Sequence, residues 1–192
     1  NTAIGGAAMF SNTGGNSNTA VGMLSLFTNS TGYSNTAIGD SALFHNTTGS
    51  GNTANGYQAL ENNTTGTLNT AVGYAALFTN TTGYNNLAVG VGAGNNVTTS
   101  HDVICIGNNV DGQNISNSCY IGNIFGATAS SGTPVIVNSN HKLGTTTSSK
   151  RFKENIKPMD KASEALFSLE PVSFCYKKEI DPQGIPQFGL VA

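Results

Sequence analysis

Seventeen residues recur almost unchanged along the first half of the chain, as NTAVGMLSLFTNSTGYS (18–34), NTAIGDSALFHNTTGSG (35–51) and NTAVGYAALFTNTTGYN (69–85). Copies begin at Asn1, Asn18, Asn35, Asn52, Asn69 and Asn86, and a degenerate seventh begins at Val103. Position five of every copy is glycine, from Gly5 to Gly107. Position three is Ala3, Ala20, Ala37, Ala54, Ala71, Ala88 and then Cys105. Position nine is Met9 or Leu26, Leu43, Leu60 and Leu77, and position ten is Phe10, Phe27, Phe44, Glu61 and Phe78. A unit this short cannot bury its own apolar face, whereas stacked copies share one continuous core. The period therefore predicts a parallel β-solenoid with one seventeen-residue coil per repeat. The NTAxG and xALF segments are the strand candidates. The N-[ST]-T-G segments (29–32, 46–49, 63–66, 80–83) are turns by composition. A helix on ALF is the competing reading, disfavoured because glycine interrupts such short segments.

In-register stacking also accounts for the composition. Each side chain then meets its own copy about 4.8 Å away, so Asn and Thr can form ladders while like charges would form repulsive columns. Only 9% of the residues are charged, against about 25% in ordinary domains. Residues 1–140 contain no Lys or Arg and four acids, Asp40, Glu61, Asp102 and Asp111. All eight basic residues lie in 141–192. That shift marks a boundary near residue 141 and argues against a nucleic-acid footprint on the repeats. Asn55 and Glu61 stand at otherwise apolar repeat positions. Position fourteen supplies a threonine column, Thr31, Thr48, Thr65 and Thr82, with turn hydrogen bonding or an ice- or glycan-binding array as its possible uses.

The three cysteines, Cys105, Cys119 and Cys175, have no metal-ligand spacing, and an odd number gives no disulfide framework. His45, His101 and His141 are isolated. No cofactor is expected. No stretch has the length and apolarity of a membrane span. The chain opens inside a repeat and closes mid-pattern on FGLVA, so we expect a piece of a longer protein.

The repeats over 1–107 resemble the heads of trimeric autotransporter adhesins. The resemblance implies left-handed parallel β-rolls packed as trimers. A thin coil carrying both Leu and Phe likewise predicts a second burial surface, against neighbouring chains, and hence a homotrimer. Residues 108–142 are expected as an irregular β connector.

Residues 143–192 change character and predict a small α+β segment. Asp160 can cap a helix that carries Met159, Ala162, Leu166 and Leu169 on one face. After Pro171, the residues Val172, Phe174 and Tyr176 alternate with polar ones as in a half-buried strand. Asp181–Gly184 is a turn, and Phe188–Val191 can complete a hairpin. The stretches TSSKRFKENIKPM (147–159), PVSFCYKK (171–178) and QFGLVA (187–192) resemble the start of the intramolecular chaperone of phage endosialidase tailspikes and other tail fibres. That resemblance implies a domain that assembles the trimeric fibre before it and is then released by self-cleavage just before a serine. The cut falls between Thr147 and Ser148, with Ser148 as nucleophile and Lys153 as its base. Serine needs such a base, and a lysine serves only if desolvation or nearby cations (Lys150, Arg151 and Lys157 are close in sequence) lower its pKa. Without the resemblance the same residues read as a basic solvated loop. Little cleavage is expected from these 192 residues alone.

Three functional readings follow. The first is a fibre segment of a phage or prophage tail, with a host-surface glycan or protein receptor. The second is the head of a bacterial surface adhesin, and the third is the threonine array. The implied locations are the virion tail fibre or the bacterial cell surface. The only enzymatic chemistry in view is the single-turnover cleavage.

Overall fold

The structure is a computed structural model that describes residues 1–124, 135–137, 139–145, 170–174 and 187–191. Two compact units divide the chain, residues 1–129 and 130–192.

The first unit is a parallel β-solenoid. Its strands are β1 (Thr2–Ile4), β2 (Thr19–Val21), β3 (Thr36–Ile38), β4 (Thr53–Asn55), β5 (Thr70–Val72), β6 (Leu87–Val89), β7 (Val103–Ile106) and β8 (Ser118–Ile121). They form one eight-stranded sheet in chain order. From β1 to β7 the register advances one repeat per coil, so that Ala3 pairs Ala20 and Ala20 pairs Ala37. β8 continues the sheet, with Ile104 opposite Cys119 in a coil two residues shorter than the repeat.

Each coil contains one strand, not the two expected. The xALF segments are turns. Leu26, Leu43, Leu60 and Leu77 sit there at φ 50°, 53°, 52° and 50°. Positions seven and seventeen are left-handed too, as at Leu24 (φ 57°) and Ser34 (φ 55°). A left-handed L-residue costs about 1–2 kcal/mol, so the surrounding stack must hold these conformations. It does so through hydrogen bonds to the adjacent coil: Leu26 N–H donates to Ala42 O, Leu24 N–H to Gly6 O and Ser34 N–H to Asn16 O.

The core is narrow. Alanines at positions three and eight and leucine at position nine point inward and are almost fully buried. Two asparagines per coil, at positions one and twelve, are equally buried. Their amides satisfy one another along the axis. Asn46 Nδ2 donates to Asn29 Oδ1 at 2.8 Å and Asn63 Nδ2 to Asn46 Oδ1 at 2.8 Å. In the second ladder Asn35 N–H donates to Asn18 Oδ1 at 2.9 Å and Asn52 N–H to Asn35 Oδ1 at 3.0 Å. Both ladders also donate to the position-fifteen glycine carbonyl, as Asn35 and Asn46 do to Gly49 O. Buried amides are tolerated only when satisfied in this way.

The leucine half of the expected chain-to-chain surface is thus inside each coil. Phenylalanine remains outside: Phe10, Phe27 and Phe44 stack at 5.4 and 5.2 Å.

In the second unit, β9 (Val135–Val137) pairs antiparallel with β10 (Leu143–Thr145). β11 (Glu170–Phe174) pairs antiparallel with β12 (Gln187–Val191), with Val172 opposite Gly189. This is the hairpin anticipated after Pro171. The expected helix from Asp160 and the turn at 181–184 lie outside the described residues. No helix occurs among the described residues.

Candidate functional site

Thr147, Ser148 and Lys153 lie outside the described residues, so their geometry does not enter here. The described surfaces belong to the solenoid, and the coil positions define them.

Because alternate residues of a strand face opposite ways, alanine at position three points in and position four points out. Ile4, Ile38, Val72, Val89 and Ile106 are exposed there, and Ile121 of β8 extends the column. Position six flanks it with exposed Met23, Tyr57, Tyr74 and Val91. Tyr57 and Tyr74 stack at 5.4 Å. Asn55 interrupts the aliphatic column once. Residues 1–140 supply no Lys or Arg to this face, and Asp40 is the acid at position six. Large exposed apolar strips are commonly interaction surfaces in proteins.

The phenylalanine column lies on another side and is broken at Glu61, whose Oε2 is enclosed without a hydrogen-bond partner. Beside it runs a shallow hollow lined in part by Thr28, His45, Thr47, Thr64 and Thr79. Its hydroxyls are engaged with the backbone: Thr28 Oγ1 donates to Phe44 O at 2.7 Å, and Thr47 and Thr64 donate to the next coil's carbonyls at 3.0 Å. These threonines therefore tie coils together. The exposed column Thr31, Thr48, Thr65 and Thr82 lies one residue further on.

A deeper notch opens at Tyr33, Ser50, Gly51, Thr67 and Leu68. Sequence reading passed over it, although the signal was present: position sixteen runs Asn16, Tyr33, Ser50, Thr67, Tyr84 and His101, so two consecutive coils between the tyrosines carry small side chains.

Near the far end, Cys105 is buried and Cys119 is exposed, on opposite faces of neighbouring strands. Burial, reinforced by Cys119 and Asp111, pushes the Cys105 thiol up to about 11. The thiolate is the reactive form, and Cys105 reaches it only above that range. Iodoacetamide at about pH 8 should therefore alkylate Cys119 and spare Cys105 until the solenoid is unfolded. Peptide mapping checks this; equal labelling of the two in the native protein would contradict the burial of Cys105. His101 and Asp102 make an exposed 2.7 Å pair, and His101 stacks on Tyr84 at 4.6 Å. Among the described residues no group of three or more His, Cys, Asp or Glu could hold a metal. No helix among them is long and apolar enough to cross a membrane.

A family model described as chaperone of endosialidase matches residues 148–192, less than a quarter of the chain. The match supports a tail-fibre-like assembly role for that region. No curated protein and no solved structure matches the chain significantly.

Proposed function

We propose that this chain is a segment of a trimeric adhesive fibre, of a phage or prophage tail, whose assembly is directed by the chaperone segment at 148–192. The observation that carries the reading is the order of parts along the chain: a β-solenoid that ends near residue 121 and, after it, a region at 148–192 similar to the chaperone of endosialidase. A bacterial surface adhesin would use the same coils, but the chaperone match favours the fibre. The exposed aliphatic column from Ile4 to Ile121 supplies a largely apolar face, with Asp40 on its flank, that three parallel copies can bury against one another. In that arrangement Val72→Asp with Ile106→Asp places charges in the shared face at coils that are not neighbours, since Val89 stands between them. The double variant should sediment as a monomer while keeping its β-sheet circular dichroism.

The chaperone is released at the Thr147–Ser148 bond. The Ser148 hydroxyl attacks the Thr147 carbonyl and Lys153 takes its proton. The Ser148 amine leaves, reprotonated from Lys153, so that Thr147 is held as an ester on Ser148. Water hydrolyses the ester, giving a fibre that ends at Thr147 and a chaperone that begins at Ser148. The family match beginning at Ser148 supports this register. Loss of the folding template makes the trimer's stability kinetic. In the intact gene product, Ser148→Ala and Lys153→Ala should each stay full length by mass spectrometry, and Ser149→Ala should be cut normally. Cleavage of the Ser148→Ala protein at the same bond would show the dyad to be wrong.

A further inference from the structure

We infer that the notch between Tyr33 and Tyr84 is a binding site for an uncharged saccharide unit, which deepens, and rests on, the reading of the chain as an adhesive fibre. Position sixteen reads Tyr33, Ser50, Thr67 and Tyr84 in four successive coils, with Asn16 before them and His101 after. Tyr33 and Tyr84 are 56% and 42% exposed. Ser50 and Thr67 place small side chains between the two tyrosines, and a cavity of about 350 Å³ opens beside them, within the range of small-ligand sites. The next position changes in the same two coils. Gly51 and Leu68 stand between Ser34 and Asn85. Leu68, 61% exposed, lies over Gly51 so closely that a Cβ there would approach its Cδ2 to 2.8 Å. Four departures from the flanking copies thus converge on one place.

Ser50 serves the stack, its buried hydroxyl accepting from the preceding coil, but the backbone stacking does not require the changes at Gly51, Thr67 and Leu68. The backbone bonds between coils continue through the notch: Gly51 N–H donates to Tyr33 O, Leu68 N–H to Ser50 O and Asn85 N–H to Thr67 O, each at 3.0 Å. The fold is that of every other coil, and only the side chains differ. What they present is an aromatic wall at Tyr33, an aliphatic floor at Leu68 and hydroxyls at Ser34 and Thr67. Ser50 is held in place, accepting from Tyr33 N–H at 3.1 Å and donating to Thr48 O at 3.2 Å. Apolar surface beside a few convergent polar groups suits a ring with C–H faces and hydroxyl edges. The charge decides between sugar classes. No Lys or Arg exists in residues 1–140, so a carboxylated, sulfated or phosphorylated sugar would lose its hydration without gaining a counter-charge.

The test is an array of neutral hexose and hexosamine oligosaccharides beside their sialylated and sulfated counterparts, probed with the full 192-residue chain. Affinities of the hits are then measured by calorimetry. Thr67→Tyr fills the notch with the residue that Tyr33 and Tyr84 already show to fit that coil position, and it leaves the bond between Ser50 and Tyr33 intact. We expect neutral glycans to bind, and the filled variant to bind them at least about tenfold more weakly, with unchanged melting. Tyr33→Ala should weaken binding as well. The proposal is overturned if the array shows no neutral ligand, if only acidic glycans bind, or if the filled variant binds like the parent. Sedimentation of the same samples separates the two readings. Trimers that bind no neutral glycan overturn the notch alone, and monomers that bind through it overturn the trimer alone.

Discussion

Gly56→Ala should break the solenoid in its middle. Gly56 has φ +144°, and a Cβ built on it would overlap the carbonyl oxygen of Gly73 in the next coil. The obstruction is backbone, and that backbone is fixed in turn: Gly73 N–H donates to Asn55 O at 2.8 Å. Relief would require the coils to separate and give up neighbouring rungs of the sheet. Unfavourable φ alone costs on the order of 1–3 kcal/mol, and the overlap with backbone adds to it. We expect at least about 3 kcal/mol in total, a fall in melting temperature of roughly 6–12 °C for a chain of this size. Gly6→Ala is the matched control. Its φ is not in the strained range and its nearest neighbour is the Met23 side chain at 3.8 Å. Thermal unfolding followed by circular dichroism should leave Gly6→Ala close to the parent. If Gly56→Ala melts with it, the close approach of coils at position five is not what fixes that glycine.

Those two glycines show why the stacking was legible in the sequence. An invariant residue at a fixed period reports a constraint repeated in every coil, and the lack of Lys and Arg reports the same in-register columns. The path of the chain within a coil was harder to read. ALF looks like a strand by composition, yet Leu43 turns in with φ 53°, a conformation that an isolated leucine avoids. Hydrogen bonds from the neighbouring coil impose it, and no local propensity encodes them. The same turn sends leucine inward and leaves phenylalanine outside, so the Leu/Phe pair that suggested one shared surface is divided between core and exterior. The outward column at position four was hidden for a related reason. Ile38 and Val72 read as core residues until the neighbouring alanine is known to face in. The notch needed the path of the chain too, because Ser50 and Thr67 are ordinary loop residues until their coils are stacked between those of Tyr33 and Tyr84. Ser148 and Lys153 were accessible only through resemblance, since a serine five residues before a lysine carries no chemistry by itself.

The asparagine ladder gives the second large effect, and its end supplies an internal control. Asn46→Ala removes three side-chain hydrogen bonds: Asn46 Nδ2 to Asn29 Oδ1, Asn46 Nδ2 to Gly49 O, and Asn63 Nδ2 to Asn46 Oδ1. Asn29 Oδ1 and one Asn63 N–H are then stranded in a fully buried site. Each orphaned buried group costs about 1–3 kcal/mol, and the missing side chain leaves a void besides. A loss of about 3–6 kcal/mol follows. Asn80 occupies the same coil position, is also buried, and donates to Asn63 Oδ1 at 3.0 Å and to Gly83 O at 3.3 Å. Its own Oδ1 accepts nothing, because the next coil places Val97 where an asparagine would donate. Asn80→Ala therefore strands one group fewer and forfeits longer bonds, so it should cost less than Asn46→Ala by about 1–3 kcal/mol. Urea unfolding of the two variants beside the parent measures the difference. Equal losses would mean that burial of the amide, rather than its place in a continuous ladder, sets its contribution. A smaller loss at Asn80 would identify the run from Asn12 to Asn80 as one cooperative element of the core, weakest at the coil where valine ends it.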